Sequence, residues 1–286
     1  MDKLNLLFEE LAKKHFSKAR IQKYRTWVVN ANKARANNSM DKKLNQFDKA
    51  EELITFYTFA ALELREDKKE VTEKILKLAN ITKSIDEPVI LSFEKQFTPP
   101  AGYLKWLNKN VSKHPVNYIR KLGKEHVAKG KRLEGNTHVD AVLESKNFLI
   151  LVEVKFTSDI SCEVTFDPNR NQLARNIDVG LAEAKKKDKQ LIVLLSSPSE
   201  FYNKRNRLYY YKIQEYTNFN EIKKDIEWRY IEEIEKYLLK VAWIPLEKLV
   251  DILYQNFEMP EIKEAENFFA ERGLKPNGGR DPQYRK

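Results

Sequence analysis

The sequence is poor in several residue types on which redox, zinc and nucleotide chemistry depend. It holds one cysteine, Cys162, in 286 residues. A single thiol excludes an internal disulfide and any zinc site built on several cysteines, and it fits a reducing, cytoplasmic setting. The histidines are His15, His114, His126 and His138, and none has a partner at metal-ligand spacing. Glycine is scarce, and neither a Gly-rich phosphate loop nor an internal repeat occurs, which argues against a nucleotide-driven motor. No apolar run approaches the ~20 residues needed to span a bilayer, so no membrane association is expected. Met1 to Glu10 has no long apolar segment and turns acidic early, unlike a signal peptide.

What the chain has is charge. Lys plus Arg number 52 against 42 Asp plus Glu, a net charge of +10. Such an excess favours a polyanion or an anionic membrane surface, and it also occurs in unrelated proteins, so it tilts the reading without deciding it. Residues 1–98 read as a helical N-terminal region. Leu4, Leu7, Phe8 and Leu11 form one amphipathic stripe, and Lys18 to Ala36 a second with Ile21, Tyr24, Trp27, Val28 and Ala31. Helices are also expected over Phe47 to Leu64 and Glu70 to Ala79. On the second helix, Lys18, Arg20, Lys23, Arg25, Lys33 and Arg35 alternate with Tyr24 and Trp27. This pattern suits either a nucleic-acid backbone or a solvated face over a core. The break Pro99-Pro100-Ala101-Gly102 separates this region from a domain over 103–272. Residues 273–286 read as a flexible tail.

The most informative segment is His138-Val139-Asp140-Ala141-Val142-Leu143-Glu144-Ser145-Lys146-Asn147-Phe148-Leu149-Ile150-Leu151-Val152-Glu153-Val154-Lys155. It reads as two apolar strands joined by a tight turn. With a two-residue loop at Lys146-Asn147, Ser145 pairs with Phe148 and Asp140 falls opposite Glu153, about 5 Å away between Cβ atoms. Strand parity puts Asp140, Glu153 and Lys155 on one face, and Val139, Ala141, Leu143, Ile150, Val152, Val154 and Phe156 on the other. Glu144 shares the parity of Asp140 but sits at the turn, where exposure is expected. His138 shares that face and reads as structural. Thr157 is a candidate supporting hydroxyl.

Two carboxylates so close in an apolar setting repel, and one takes up a proton unless a cation lies between them. Hard oxygen donors suit Mg²⁺ or Mn²⁺, with water and a phosphate as the remaining ligands. Lys155 would then orient or deprotonate a bound water and offset charge at the phosphate. In isolation, these three residues are as readily solvated or salt-bridged strand residues. Downstream, Cys162 to Phe166 reads as a third strand, Arg170 to Ala184 as a helix, and Gln190 to Ser196 as a buried strand.

Asp140 followed by Glu153-Val154-Lys155 resembles the PD-(D/E)XK nuclease superfamily over roughly residues 114 to 200, with Val139 in place of the usual proline. The resemblance implies an α/β fold with a restriction-endonuclease-like core, a mixed central sheet flanked by helices, preceded here by the helical N-terminal region. It implies Asp140, Glu153 and Lys155 as catalytic residues, with Asp140 and Glu153 on the metal. The core helix is expected before the strands, and the helix beginning near Pro115 is the candidate. An acidic residue on it near the metal is expected to be Glu125, with Glu134 as competitor. Gln172-x-x-Arg175-Asn176 resembles a helix motif beside the site in several of these families, with Gln172 and Arg175 supporting the phosphate. Lys121, Lys124, Lys129, Lys131 and Arg132 cluster just before the site and are candidates for nucleic-acid binding.

Beyond Ser196, Tyr209 to Ile213 reads as a strand, followed by helices over Asn220 to Leu239 and Leu246 to Phe257. The function expected is a Mg²⁺- or Mn²⁺-dependent nuclease acting on DNA, of endonuclease type. A single site that must cut both strands calls for a homodimer. Two other readings stay open: a nucleic-acid-binding protein with an inactive nuclease fold, and an interaction protein with incidental charge.

Overall fold

The computed structural model describes residues 6–37, 47, 49–162, 164–256 and 260–274. Twelve of the predicted tail residues, 275–286, lie outside these, as do residues 1–5 of the first stripe, which hold Leu4. A five-stranded sheet runs in the order β1 (Ile90–Phe97), β2 (Thr137–Glu144), β3 (Phe148–Val154), β4 (Gln190–Ser197) and β5 (Leu238–Pro245). The first two pairings are antiparallel and the last two parallel, so the fold is α/β with a mixed sheet.

The hairpin register follows from the turn. Ser145 N–H donates to Phe148 O at 2.9 Å, and Ser145 Oγ accepts from Phe148 N–H at 3.0 Å. Ala141 then pairs with Val152 and Leu143 with Ile150, as the expected register requires. Because side chains alternate faces, the sheet is covered on both sides. Ala141, Leu143, Ile150, Val152, Val154 and Phe156 pack on the front helices α1 (Glu9–His15), α2 (Lys18–Ala36), α3 (Glu51–Leu64) and α4 (Lys68–Leu78). Phe56 and Phe93 belong to the same cluster, so the front helices rest directly on the sheet. Val139, which parity placed on that face, joins the opposite cluster with Leu149 and Leu151. That second face is covered by α7 (Gln172–Lys187), with Leu173, Ile177, Leu181 and Ala184 turned inward.

Between β1 and β2 lie α5 (Ala101–Asn110) and α6 (Asn117–Ala128), packed through Tyr103, Leu107, Val111, Leu133 and Phe166. The helix that the sequence offered as the core helix is α6, so it lies inside this insertion. It precedes β2 and β3 as expected, while α3 and α4 come before β1. Strand β1 falls in the region read as helical, and β5 fills the gap between the two helices expected over Asn220 to Leu239 and Leu246 to Phe257, overlapping the first only at Leu238 and Leu239. The proposed third strand does not form: around Glu163, which lies outside the described residues, there is one isolated bridge, between Val164 and Asp167.

Tyr209 to Ile213 is part of a helix, α9 (Leu208–Glu215), which follows the short α8 (Ser199–Asn203). Short apolar runs do not distinguish strand from helix by periodicity. Here the carboxylate of Asp159 decides: it accepts from the N–H groups of Leu208 at 2.6 Å and Tyr209 at 3.2 Å, satisfying donors that a helix start leaves open. The expected helix over Asn220 to Leu239 is two short ones, α10 (Phe219–Asp225) and α11 (Ile231–Tyr237), before β5. Helices α12 (Leu246–Tyr254) and α13 (Pro260–Glu271) complete the chain. Among the described residues, no helix is long and apolar enough to cross a membrane.

Candidate active site

Asp140 lies within β2, Glu153 near the end of β3 and Lys155 one residue beyond it. The ladder pairs Ala141 with Val152, and one step beyond it Asp140 comes to face Glu153; Val154 N–H donates to Asp140 Oδ2 at 2.8 Å. Glu153 is 1% exposed. Its Oε1 lies 3.0 Å from Lys155 Nζ and accepts from Gln172 Nε2 at 2.5 Å, and its Oε2 accepts from Asn176 Nδ2 at 3.0 Å. Gln172 and Asn176 are one helical turn apart at the start of α7, so both reach the same carboxylate. The helix start is fixed by Asn171, whose side chain accepts from Ala174 N–H at 3.1 Å. Of the predicted set, the structure therefore joins Asp140, Glu153, Lys155 and Gln172.

The electrostatics are uneven. Burial, then the Glu153 charge and the more remote Glu94, push the Asp140 carboxyl well above the usual carboxylate range, against the opposing pull of Lys155 and the Val154 N–H. For Lys155, burial is the largest influence and disfavours its charge. Glu153, Glu51 and Asp140 together outweigh it and hold the ammonium above its ordinary range. At neutral pH Lys155 is thus a cation and a hydrogen-bond donor, better suited to orienting a water than to deprotonating it.

Two acids that the sequence did not single out stand here. Glu51, the first residue of α3, lies 3.6 Å from Lys155 Nζ through Oε2. Its Oε1 accepts from Phe156 N–H at 2.9 Å, Ser158 N–H at 3.3 Å and Ser158 Oγ at 2.7 Å. It therefore clamps the loop that follows Lys155. Glu94 is bracketed by the pairs Phe93–Ala141 and Lys95–Val139, which puts it opposite Asp140 in β1. It adopts a left-handed φ of 48°, and Arg20 of α2 lies 3.0 Å from its carboxylate. No local motif marks either residue. Asn176 had a readable signal, its spacing from Gln172.

Other predicted residues lie elsewhere. Glu125 is on the exposed side of α6, ion-paired with Lys129, so the acidic helix residue beside Lys155 is Glu51 instead. Its competitor Glu134 is buried among Tyr103 OH (2.7 Å), Arg170 (3.1 Å) and Arg175 (3.7 Å). Arg175 thus turns toward Glu134, and no contact carries it to Glu153. Arg170 continues to Asp178 at 2.7 Å, and Asp178 also pairs with Arg229; this buried ionic network anchors α7. Lys121, Lys124, Lys129, Lys131 and Arg132 are exposed on α6 and the loop after it. On α2 the basic residues are largely paired: Lys23 with Glu52, Arg25 with Glu9 and Arg35 with Glu271. Tyr24 is buried and the Lys23 ammonium lies over Trp27, so this helix is a paired face over a core.

Among the described residues no cluster of three or more His, Cys, Asp or Glu side chains forms a metal cage. The donors on offer are two carboxylates, Asp140 and Glu153, a set that suits an ion keeping most of its water. No family model matches the chain, and no curated protein or solved structure matches it either.

Proposed function

We propose that the chain is a metal-dependent nuclease of the PD-(D/E)XK type, with a restriction-endonuclease-like core, that hydrolyses phosphodiester bonds in DNA. The observation that carries this reading is the cross-strand pair Asp140 and Glu153 with Lys155 at 3.0 Å from Glu153. Asp140 and Glu153 would hold Mg²⁺ or Mn²⁺, which when bound supplies an acidified water and neutralises charge on the phosphate. Lys155 donates to that water or to a phosphate oxygen. Gln172 and Asn176 fix the orientation of Glu153, and Glu51 restrains the Lys155 loop. The net charge of +10 and the exposed cations of α6 favour a polyanionic substrate.

A second reading, a DNA-binding protein whose nuclease fold is inactive, draws on the saturation of Glu153. Both of its oxygens already carry side-chain partners. One assay separates the two: incubation with circular and linear DNA, with and without Mg²⁺ or Mn²⁺. The nuclease reading requires metal-dependent cleavage that Asp140→Asn and Lys155→Ala each abolish while the fold survives. Undiminished cleavage by either variant rules out these roles. Salt-sensitive binding without cleavage in either metal establishes the inactive alternative. Cleavage of the circle identifies an endonuclease.

A further inference from the structure

A second constellation lies on the same face of the sheet. Glu153 pairs laterally with Leu195 in β4, and Leu195 with Trp243 in β5. Residues paired across parallel strands point the same way, so Trp243 stands two strands from Glu153, about 10 Å at the usual strand spacing. The Tyr202 ring stacks on it, with centroids 3.9 Å apart and planes within 9°. Tyr210 packs edge-on to Tyr202 at 5.0 Å, and Tyr211 edge-on to Tyr210 at 5.3 Å. Tyr211 is 52% exposed.

Cations are threaded through these rings. The Arg205 guanidinium lies 5.6 Å from the Tyr210 ring, and Arg207 lies 5.3 Å from Phe201. Each guanidinium thus meets a ring, and Arg207 Nε is buried with no hydrogen-bond acceptor among the described residues. Arg205 is exposed and Arg207 half-buried, so both guanidinium groups lie at the outer side of the aromatic stack. The segment is also tied to the site. It leaves β4 just after Ser196, whose carbonyl accepts the Lys155 N–H at 2.8 Å. It re-enters at Leu208 and Tyr209, held by Asp159, four residues beyond Lys155.

We infer that Phe201–Tyr211 receives an unpaired nucleic-acid strand beside the proposed nuclease centre. Bases stack on the Tyr210 and Tyr211 rings, which accept any base because every base has a π-face. Phosphates meet Arg205 and Arg207, whose planar guanidinium groups suit that geometry. The inference rests on the nuclease reading for its purpose but not for its test.

The test measures binding by fluorescence anisotropy, in EDTA so that no cleavage intervenes. The probes are a labelled single-stranded deoxyoligonucleotide and the same sequence as a duplex. The full chain is compared with Tyr211→Ala, with Arg205→Ala/Arg207→Ala, and with Arg205→Lys/Arg207→Lys. The expected result is single-strand binding weakened about tenfold by Tyr211→Ala. The double alanine variant should also lower the salt dependence by about two phosphates, and the lysine pair should largely restore it. For Tyr211→Ala, duplex binding should change by less than about twofold, because paired bases cannot stack on the ring. Unchanged single-strand binding in either variant, equal losses on both probes for Tyr211→Ala, or no binding by the unaltered chain would each overturn the inference. The nuclease reading fails separately, if the unaltered chain binds the single strand yet never cleaves with metal.

Discussion

Asp140 and Glu144 stand four residues apart on one strand, with the same parity, and the fold treats them in opposite ways. Glu144 was expected to be an exposed turn residue. It is instead gripped by Lys187 and Lys189, both at 2.8 Å, and by Lys95 at 3.4 Å. Burial, its largest single influence, would raise its pKa, but the two near lysines outweigh it and bring the carboxyl down to about 2. Asp140 has one cation in reach, Lys155, which Glu153 and Glu51 also hold; burial, Glu153 and Glu94 outweigh its pull and push the carboxyl up. A strand end that serves structure is neutralised by the chain itself. A strand position left short of positive charge is one where a cation from outside has something to gain.

The largest effect that sharpens this contrast is on cleavage. Asp140→Asn should lower metal-dependent hydrolysis by about a thousandfold or more, while Glu144→Gln should leave it within about twofold. Comparable losses in both would break the distinction. Stability should move the other way. In EDTA, Asp140→Asn removes a repelled acid and keeps a side-chain acceptor for the Val154 N–H. It should stabilise the fold by about 1–2 kcal/mol in denaturant titrations. Glu144→Gln strands three lysines and should cost about 1 kcal/mol, a figure reduced for solvent screening. A destabilised Asp140→Asn would show that the acid is already balanced.

This contrast also marks how far the sequence could be read. The hairpin register, and with it the meeting of Asp140, Glu153 and Lys155, followed from period-two alternation and one turn, both local. Helix α7 followed from its apolar stripe. The partners that set the charges are remote: Glu51 is 104 residues before Lys155, and Lys187 and Lys189 are more than 40 residues after Glu144. No spacing rule connects such pairs. Glu125 was chosen because the resemblance implies an acid on the helix before the strands, but the chain inserts α5 and α6 between β1 and β2 and brings α3 to the site. Strand β1 was hidden by its place in a helical region and by Glu94, which breaks its regular conformation. Arg175 was read from its motif neighbours, and a buried Glu134 redirects it.

Titration gives a smaller test with opposite signs. Glu144 has a depressed pKa in the fold, so its stabilisation is complete above about 4.5 and is lost as pH falls toward about 2. Asp140 has a raised pKa in the fold, so it retains a proton that the unfolded chain has released. Its penalty is absent below the ordinary aspartate range, near pH 3.9, and grows as pH rises through the raised value. The stability gap between Asp140→Asn and the unaltered chain should therefore widen with rising pH. The gap for Glu144→Gln should close in acid. Urea titrations across pH 2 to 8 would read both, urea being uncharged and so leaving the lysine contacts of Glu144 unscreened (about six units, wide enough to bracket the ordinary carboxylate range). A gap for Asp140→Asn that does not vary with pH would mean that its carboxyl is not repelled in the fold.

The smallest effect is the most specific to the proposed metal. An ion that binds the folded chain alone stabilises it by mass action, by about 0.4 kcal/mol at its dissociation constant. Mg²⁺ or Mn²⁺ should then raise the melting temperature of the unaltered chain and of Glu144→Gln equally, since Glu144 already has its counter-charges. It should not raise that of Asp140→Asn, which has lost one of the two carboxylates. Ionic strength must be matched with a monovalent salt, because screening alone weakens the lysine contacts of Glu144. Equal shifts in all three proteins would place the metal elsewhere. A shift confined to the two chains that keep Asp140 would identify the repelled carboxylate pair as the ion's seat, independently of any cleavage.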